Sequence, residues 1–441
     1  MAPTHSTCFC NNRGGVGKTF MAFQTACEAA RSRPDANVLV VDFSLYSDVT
    51  ALLLGGSARE GFGAPMKGLQ VTVENTTADT RAEGLIRDLE LAIDADDDDD
   101  ARAGMKKKTK GSVFGAFFSK PSPAAAASSR REIDLQKYMI RPAAHNPAIP
   151  PNLYLIPSAG AVSWTDTQET NDDAADAADD DDEFVDAMDT TDRAPLWTRK
   201  GDAWHRAGAR LARALDDLPP SFDAVFVDTD HLAACVLTKL ALASCESVVV
   251  PLSFDDGDFN RLFQDVTGNA LFTDVMIPMK AKGQLRARVK RMVFSKVGSN
   301  KNEAVTTAGG IESPFKPSKT VMDQMDAMAQ QVWAACTHDE RYKQLFAGAE
   351  ELAPGQYGGG NIVGAFTAKF FTAMKMAPDL AANLSKMMGL PLCTMTSRTY
   401  HAPSGLEGQS GKPVLDSLKS ETQRLVAGLL DDRYNLPLFE S

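Results

Sequence analysis

The chain has 441 residues, 44% of them hydrophobic, and a formal net charge of −12. It is long enough to bury one large α/β core with insertions, or two domains. No apolar run approaches transmembrane length, the first ten residues lack a signal- or transit-peptide pattern, and the seven cysteines show no Cys-x-x-Cys spacing or paired framework, so a soluble intracellular protein with reduced thiols is expected.

The apolar opening Thr7-Cys8-Phe9-Cys10 leads into Asn12-Arg13-Gly14-Gly15-Val16-Gly17-Lys18-Thr19. Apolar residues then recur at helical spacing at Phe20, Phe23, Ala26, Cys27 and Ala30. This order of strand, glycine-rich loop and helix is the setting a phosphate-binding loop requires. Gly14, Gly15 and Gly17 allow positive φ and a close approach of backbone N–H groups to an anion at a helix N-terminus. Lys18 brings a flexible positive charge to the β- and γ-phosphates, and Thr19 a hydroxyl for Mg²⁺. The alternative is a glycine-rich turn with an incidental lysine, and Gly-Lys-Thr in this setting argues against it.

The loop departs from the ordinary Walker A pattern, whose first glycine would fall at Asn12. It resembles the deviant Walker A loop, Lys-Gly-Gly-x-Gly-Lys-Thr, of the ParA and MinD family of partitioning and positioning ATPases, with Arg13 where that family has its signature lysine. The resemblance implies an α/β fold, a mostly parallel doubly wound sheet of the P-loop NTPase type, binding ATP and Mg²⁺. It also implies an ATP-dependent homodimer in which Arg13 reaches the partner's phosphates. Arginine keeps the charge and can bind phosphate oxygens bidentately, like an arginine finger.

Asn37-Val38-Leu39-Val40-Val41-Asp42 follows as a buried parallel strand ending in a carboxylate, at the sheet edge where open α/β folds bind ligands. In the resembling family a second aspartate two residues later is the one most often assigned to hydrolysis, and here that place is Ser44. Serine is a poor base, so ATP hydrolysis is expected to be weak, with Lys18, Arg13 and Asp42 as the catalytic candidates.

From residue 55 to 151 a flexible insertion is expected, with one short helix around Leu85, Leu89 and Ile93. Five aspartates at 96–100, the lysine cluster at 106–110 and Pro121-Ser122-Pro123 followed by four alanines support that expectation. Strand 152–158 ends in Pro157-Ser158, as the family's third strand commonly does. Residues 166–192 hold thirteen acidic and no basic residues, which accounts for the net charge of the chain, and an acidic disordered insertion is expected over 163–195.

Trp204, Ala207, Leu211 and Leu215 mark a helix over 202–216 packed on the sheet. Phe222-Asp223-Ala224-Val225-Phe226-Val227-Asp228 resembles a Walker B strand, whose Asp228, like Asp42, would hold Mg²⁺ through water. A helix to Ser244 and the strand 247–252 continue the pattern, and His231 is expected to be an ordinary loop histidine.

Residues 256–270 are expected to be helical, followed by a basic surface helix carrying Lys280, Lys282, Arg286, Arg288, Lys290 and Arg291. Those cations are candidates for non-specific DNA contacts, or else form a solvated face. The stretch 301–387 is expected to be an extra helical and loop insertion, with one long helix from Val321 to Phe346. A last strand at 390–395 and a terminal helix with Leu418, Leu425, Leu429 and Leu430 close a single domain over 1–441.

Three functions compete. The first is a cytoplasmic or nucleoid-associated ATPase that positions DNA or another large cargo with an ATPase-stimulating adaptor. The second is a MinD-like membrane-associated regulator, which loses ground because Asp431, Asp432 and Glu440 stand among the leucines of the tail. The third is a nucleotide-binding scaffold with little hydrolysis.

Overall fold

The computed structural model describes residues 4–59, 64–93, 132–160, 203–231, 235–254, 256–299, 301–354, 360–377, 379–402, 405 and 407–430. The acidic block at 163–195 and the aspartate, lysine and alanine tracts between 96 and 127 lie outside the described residues.

The strands are β1 (His5–Phe9), β2 (Asn37–Phe43), β3 (Leu153–Ile156), β4 (Phe222–Thr229), β5 (Ser247–Leu252), β6 (Arg288–Val297), β7 (Val305–Thr306), β8 (Glu312–Ser313) and β9 (Phe371–Lys375). They form one nine-stranded sheet in the order β3-β2-β4-β1-β5-β6-β9-β8-β7, parallel apart from the β7–β8 pair. The fold is thus α/β with a mostly parallel, doubly wound sheet.

The β2 and β4 sequences explain why these strands are central. Their apolar runs are continuous, and alternate residues serve opposite faces of the sheet. Leu39, Val41, Val225 and Val227 join one hydrophobic core, while Val38, Val40, Ala224 and Phe226 join the other.

On the second face lie α1 (Lys18–Ser32), α2 (Asp48–Leu53) and the last helix, whose buried Leu425, Val426, Leu429 and Leu430 meet the alanine-rich flank of α1. α3 (Lys67–Asn75) packs beside α2 at the margin of this second face, where Val71 meets its core, and the first face is covered by α4 (82–93), α5 (Ala203–Asp216), α6 (Val236–Ser244), α7 (Lys319–His338) and α8 (Ile362–Phe370).

Several expectations are corrected. Within 55–151, the described parts are built into the molecule: Leu85, Leu89 and Ile93 of α4 pack with Leu135 and Tyr138 in the larger core. Residues 301–387 contribute a sheet strand, because β9 pairs with β6 in parallel. The expected strand at 390–395 is instead a turn, closed by Thr394 N–H donating to Pro391 O at 3.0 Å, since Pro391 has no N–H to give a ladder.

The helix expected over 256–270 is confined to Asp256–Asn260, with a π-helical turn at Leu271–Met276 and a short helix at Ile277–Ala281. The long helix expected to reach Phe346 stops at His338, and a separate turn covers Glu340–Lys343.

One tight junction fixes the rim of the sheet. Gly56 has φ +98°, and a Cβ there would stand 2.2 Å from Met387 O; the chain pairs instead through Ser57 N–H to Lys386 O at 2.9 Å and Ala58 N–H to Met387 O at 3.1 Å. The end of α2 is thereby fastened to α9 (Asp379–Met388), which precedes the final helix, α10 (Lys412–Leu430).

Candidate functional site

The strand register brings the predicted site residues together. Phe9, the last residue of β1, is opposite Asp228, and Asp228 is opposite Asp42 on the other side of β4. The loop therefore leaves the sheet beside two strand-end carboxylates, with Asp228 on the adjacent strand and Asp42 one strand further on.

Asn11 and Asn12 moor its start: Asn11 Nδ2 donates to Pro251 O at 2.6 Å, and Asn12 Nδ2 to Arg261 O at 2.8 Å. The residue that replaces the usual first glycine thus acts as an anchor. Gly15 and Gly17 adopt φ of +76° and +94°, the left-handed region in which a side chain is strained, and Gly17 caps α1. Val16 is buried beneath the loop, and Gly14 is exposed at its tip.

Lys18 is buried, and its Nζ donates to Arg13 O at 2.7 Å. Burial lowers its pKa, against the opposing pull of Cys10, Asp228, Asp230 and Asp48. Arg13 lies half-buried at the loop's shoulder.

Asp42 is fully buried. Its Oδ1 accepts from Ser44 N–H at 2.9 Å and Ser44 Oγ–H at 2.6 Å, and its Oδ2 from Thr50 N–H at 3.0 Å. Burial pushes its pKa up to about 6 in spite of these bonds. Ser44 is therefore a support for Asp42, with its hydroxyl proton already committed.

Asp228 is in a different position. It is fully buried, neither carboxylate oxygen makes a well-formed hydrogen bond, and burial followed by the charge of Asp42 drives its pKa well up. The Thr19 hydroxyl and Lys18 lie close enough to favour its charged form. A buried carboxylate without a proper partner is costly, so the position fits a group that brings positive charge.

Among the described residues no three His, Cys, Asp or Glu side chains form a metal cluster. Mg²⁺ keeps waters and substrate phosphates as ligands and uses few from protein. Thr19, Asp42 and Asp228 are the residues that would hold it.

Beyond these, Asp230 Oδ2 accepts from Leu45 N–H at 3.1 Å, while its Oδ1 accepts from His231 N–H at 2.5 Å and pairs with the His231 ring. The sequence expectation for His231 omitted this pairing.

The loop opens into a cavity of ≈ 610 Å³. Its lining combines polar groups, among them Lys18, Thr19, Asp48, Asp230 and Lys296, with the apolar side chains of Phe20, Met374, Met376, Leu392 and Leu418. A few polar groups set among apolar walls suit a nucleotide. Two cavity lysines, Lys296 and Lys386, were missed in the sequence, where nothing adjacent to them forms a motif.

The basic stretch does not form the expected surface helix. Lys280 and Lys282 are exposed at a helix end, but Arg288, Lys290 and Arg291 belong to β6. Arg286 pairs with Asp216 at 2.7 Å, Arg288 with Glu350 at 3.0 Å, and Lys290 Nζ donates to Leu429 O at 2.8 Å. Arg286, Arg288 and Lys290 thus have partners within the chain, while Lys280 and Lys282 stay exposed.

No protein-family model matches the chain, and neither does any curated protein. Similar solved structures share little sequence with it. They include a plasmid partition protein from Borrelia burgdorferi (12% identity, TM-score 0.35, covering 68% of this chain and 82% of that one). A substituted McdA from Cyanothece in complex with ATP gives 12%, 0.44, 97% and 98%, and cobyrinic acid a,c-diamide synthase from Mycobacterium smegmatis with bound ADP and magnesium gives 16%, 0.33, 67% and 76%. The chain's own loop, set after the interior strand β1 of a mostly parallel sheet, with Asp228 and Asp42 ending the two successive strands to one side of it, gives the α/β fold the arrangement of a P-loop NTPase.

Proposed function

We propose that the chain is an ATP-binding, slowly ATP-hydrolysing switch that dimerises when ATP is bound and positions or partitions DNA or another large cargo. The observation that carries this reading is the buried, unsatisfied Asp228 carboxylate beside Thr19 and Lys18 at the foot of a glycine loop.

In this reading the triphosphate lies along the loop N–H groups from Gly14 to Thr19, and Lys18 exchanges Arg13 O for phosphate oxygens. Thr19, Asp42 and Asp228 would hold a Mg²⁺, the aspartates through water, and the ion would supply charge neutralisation at the phosphates. The base and ribose lie against the cavity's apolar side chains, such as Met374 and Leu418. Arg13, at the shoulder of the loop, reaches toward the partner's phosphates. Ser44 holds Asp42 and offers no free base, which favours slow turnover and a long-lived ATP state.

A nucleotide-binding scaffold with little hydrolysis is the second reading, favoured by the same Ser44 geometry. A stimulating adaptor protein and non-specific DNA are the further partners that the first reading calls for, with a cytoplasmic or nucleoid location. Among the described residues no helix is long and apolar enough to cross a membrane.

The test is molar mass by light scattering with Mg²⁺ and ATP, ADP or no nucleotide, for wild type, Lys18→Ala and Arg13→Ala, with released phosphate measured in the same samples. The switch requires an ATP-dependent dimer that Lys18→Ala abolishes and Arg13→Ala weakens. A dimer without phosphate release selects the scaffold, and a monomer that binds no nucleotide refutes both. Salt-sensitive DNA binding that needs ATP would identify DNA as the cargo track.

A further inference from the structure

The cavity lining includes Lys296 and Lys386, two of the lysines outside the loop motif. Lys296 is exposed near the end of β6, and its φ of +61° makes it one of two non-glycine residues in the left-handed region among the described residues. An ordinary side chain held in that region marks a place where the surroundings over-determine the backbone, often at a ligand site.

The device that does so is visible. The pairing of β6 with β9 shifts register between Phe294 and Val297, which makes a bulge, and Ser295 Oγ lies 2.7 Å from Val16 O and 2.9 Å from Leu252 O, pinning the bulge to the loop. The result is that Lys296 Nζ donates to Gly15 O at 2.5 Å. Lys18 rests in the same manner on Arg13 O. Two ammonium groups from different elements are thus parked on carbonyls of one phosphate loop.

Lys386 approaches from α9, positioned by the junction at Gly56. Its Nζ is 5.4 Å from the centroid of the Phe20 ring. Desolvation and then the positive charge of Lys296 lower its pKa, with Asp48 opposing. Among the described residues neither Lys296 nor Lys386 forms an ion pair. Like charges gathered in one cavity, beside a loop built for anions, call for an anion between them.

We infer that Lys296 and Lys386 are phosphate-binding cations supplied within the same subunit, which engage the terminal phosphate of a nucleoside triphosphate and give the cavity its preference for triphosphate over diphosphate. The inference rests on the nucleotide reading above and deepens it. Lys296 releases Gly15 O, Lys386 swings from the face of Phe20, and the phosphate joins the two. The ATP state is then partly neutralised before any partner's Arg13 arrives.

The experiment is calorimetric titration of the full chain with Mg²⁺ and ATP, ADP or AMP. The variants are Lys18→Ala, Lys296→Asn, Lys296→Gly and Lys386→Met. Asparagine and glycine both tolerate the left-handed backbone, so the Lys296 variants remove the charge while keeping the bulge, and methionine keeps the apolar packing on Phe20.

Each Lys296 and Lys386 variant is expected to weaken ATP about tenfold, the value of one charge-assisted hydrogen bond, and ADP much less, narrowing the ATP/ADP ratio. An unchanged ratio in variants that melt like wild type overturns the inference and leaves the nucleotide site standing. Failure of wild type to bind any of the three nucleotides overturns both. Equal losses for ATP, ADP and AMP overturn the assignment to the terminal phosphate.

Discussion

Asp228→Asn should make the nucleotide-free protein more stable and its ligand-bound form relatively less so. The carboxylate is fully buried without a well-formed hydrogen bond, and burial together with Asp42 raises its pKa. A buried unsatisfied polar group costs about 1–3 kcal/mol, more when charged, so the neutral amide should recover about 2 kcal/mol at pH 8. In a chain of 441 residues that corresponds to about 2 °C in melting temperature.

The pH dependence follows from the sign of the shift. An acid whose pKa is raised in the folded state keeps a proton that the unfolded chain has already released, so wild-type stability falls as pH rises above the ordinary value of 3.8. The variant lacks that loss, and the gap between the two proteins should widen from pH 5 to pH 8. Adding Mg²⁺ and ATP should stabilise wild type and leave the variant nearly unmoved. The assay is thermal melting by circular dichroism at both pH values, with and without ligand. An Asp228→Asn protein that melts below wild type at pH 8 without nucleotide, or a gap that ignores pH, would refute the reasoning.

Ser44→Asp tests whether hydrolysis is limited by a missing carboxylate alone. Ser44 is buried, and its Oγ is 2.6 Å from Asp42 Oδ1, so the new charge would press on an existing one; melting should fall by several degrees at pH 8 and much less at pH 5, with no faster phosphate release. Glu421→Gln should flatten the pH profile of stability. Burial raises the Glu421 pKa from 4.5 to about 7, so wild type loses about 3 kcal/mol as pH rises across that window, whereas glutamine can keep the bonds to Lys375 N–H and Ser417 Oγ. Melting curves at pH 5 and 7.5 check it.

The central strands and the loop were legible because their signals are local. Val38–Val41 and Ala224–Val227 are unbroken apolar runs, and a glycine loop between a strand and a helix has few other uses. Strand β9 was not legible, because α8 passes directly from Phe370 into Phe371 with no glycine, proline or polar residue to mark the change. The basic stretch misled for a related reason. Its period suits either a helix or a strand, and only the burial of Val289 and Met292 against the sheet decides between them. Asp42 and Asp228 could be placed at strand ends from sequence, yet the commitment of Ser44 to Asp42 and the isolation of Asp228 depend on three-dimensional contacts. Lys296 and Lys386 reach the cavity through a bulge and an inter-helix junction, neither of which leaves a mark on neighbouring residues.

The packing of α10 on α1 also bears on biosynthesis. Met21, Ala22, Ala26, Ala29 and Ala30 on the first helix share a core with Leu425, Val426, Leu429 and Leu430 on the last. The chain emerges from the ribosome in order, so the helix that follows the phosphate loop must wait with an apolar flank uncovered while nearly all the described chain is made. An apolar flank left uncovered for that interval favours aggregation. Truncations that remove α10 should therefore yield insoluble chains even though every loop residue is present.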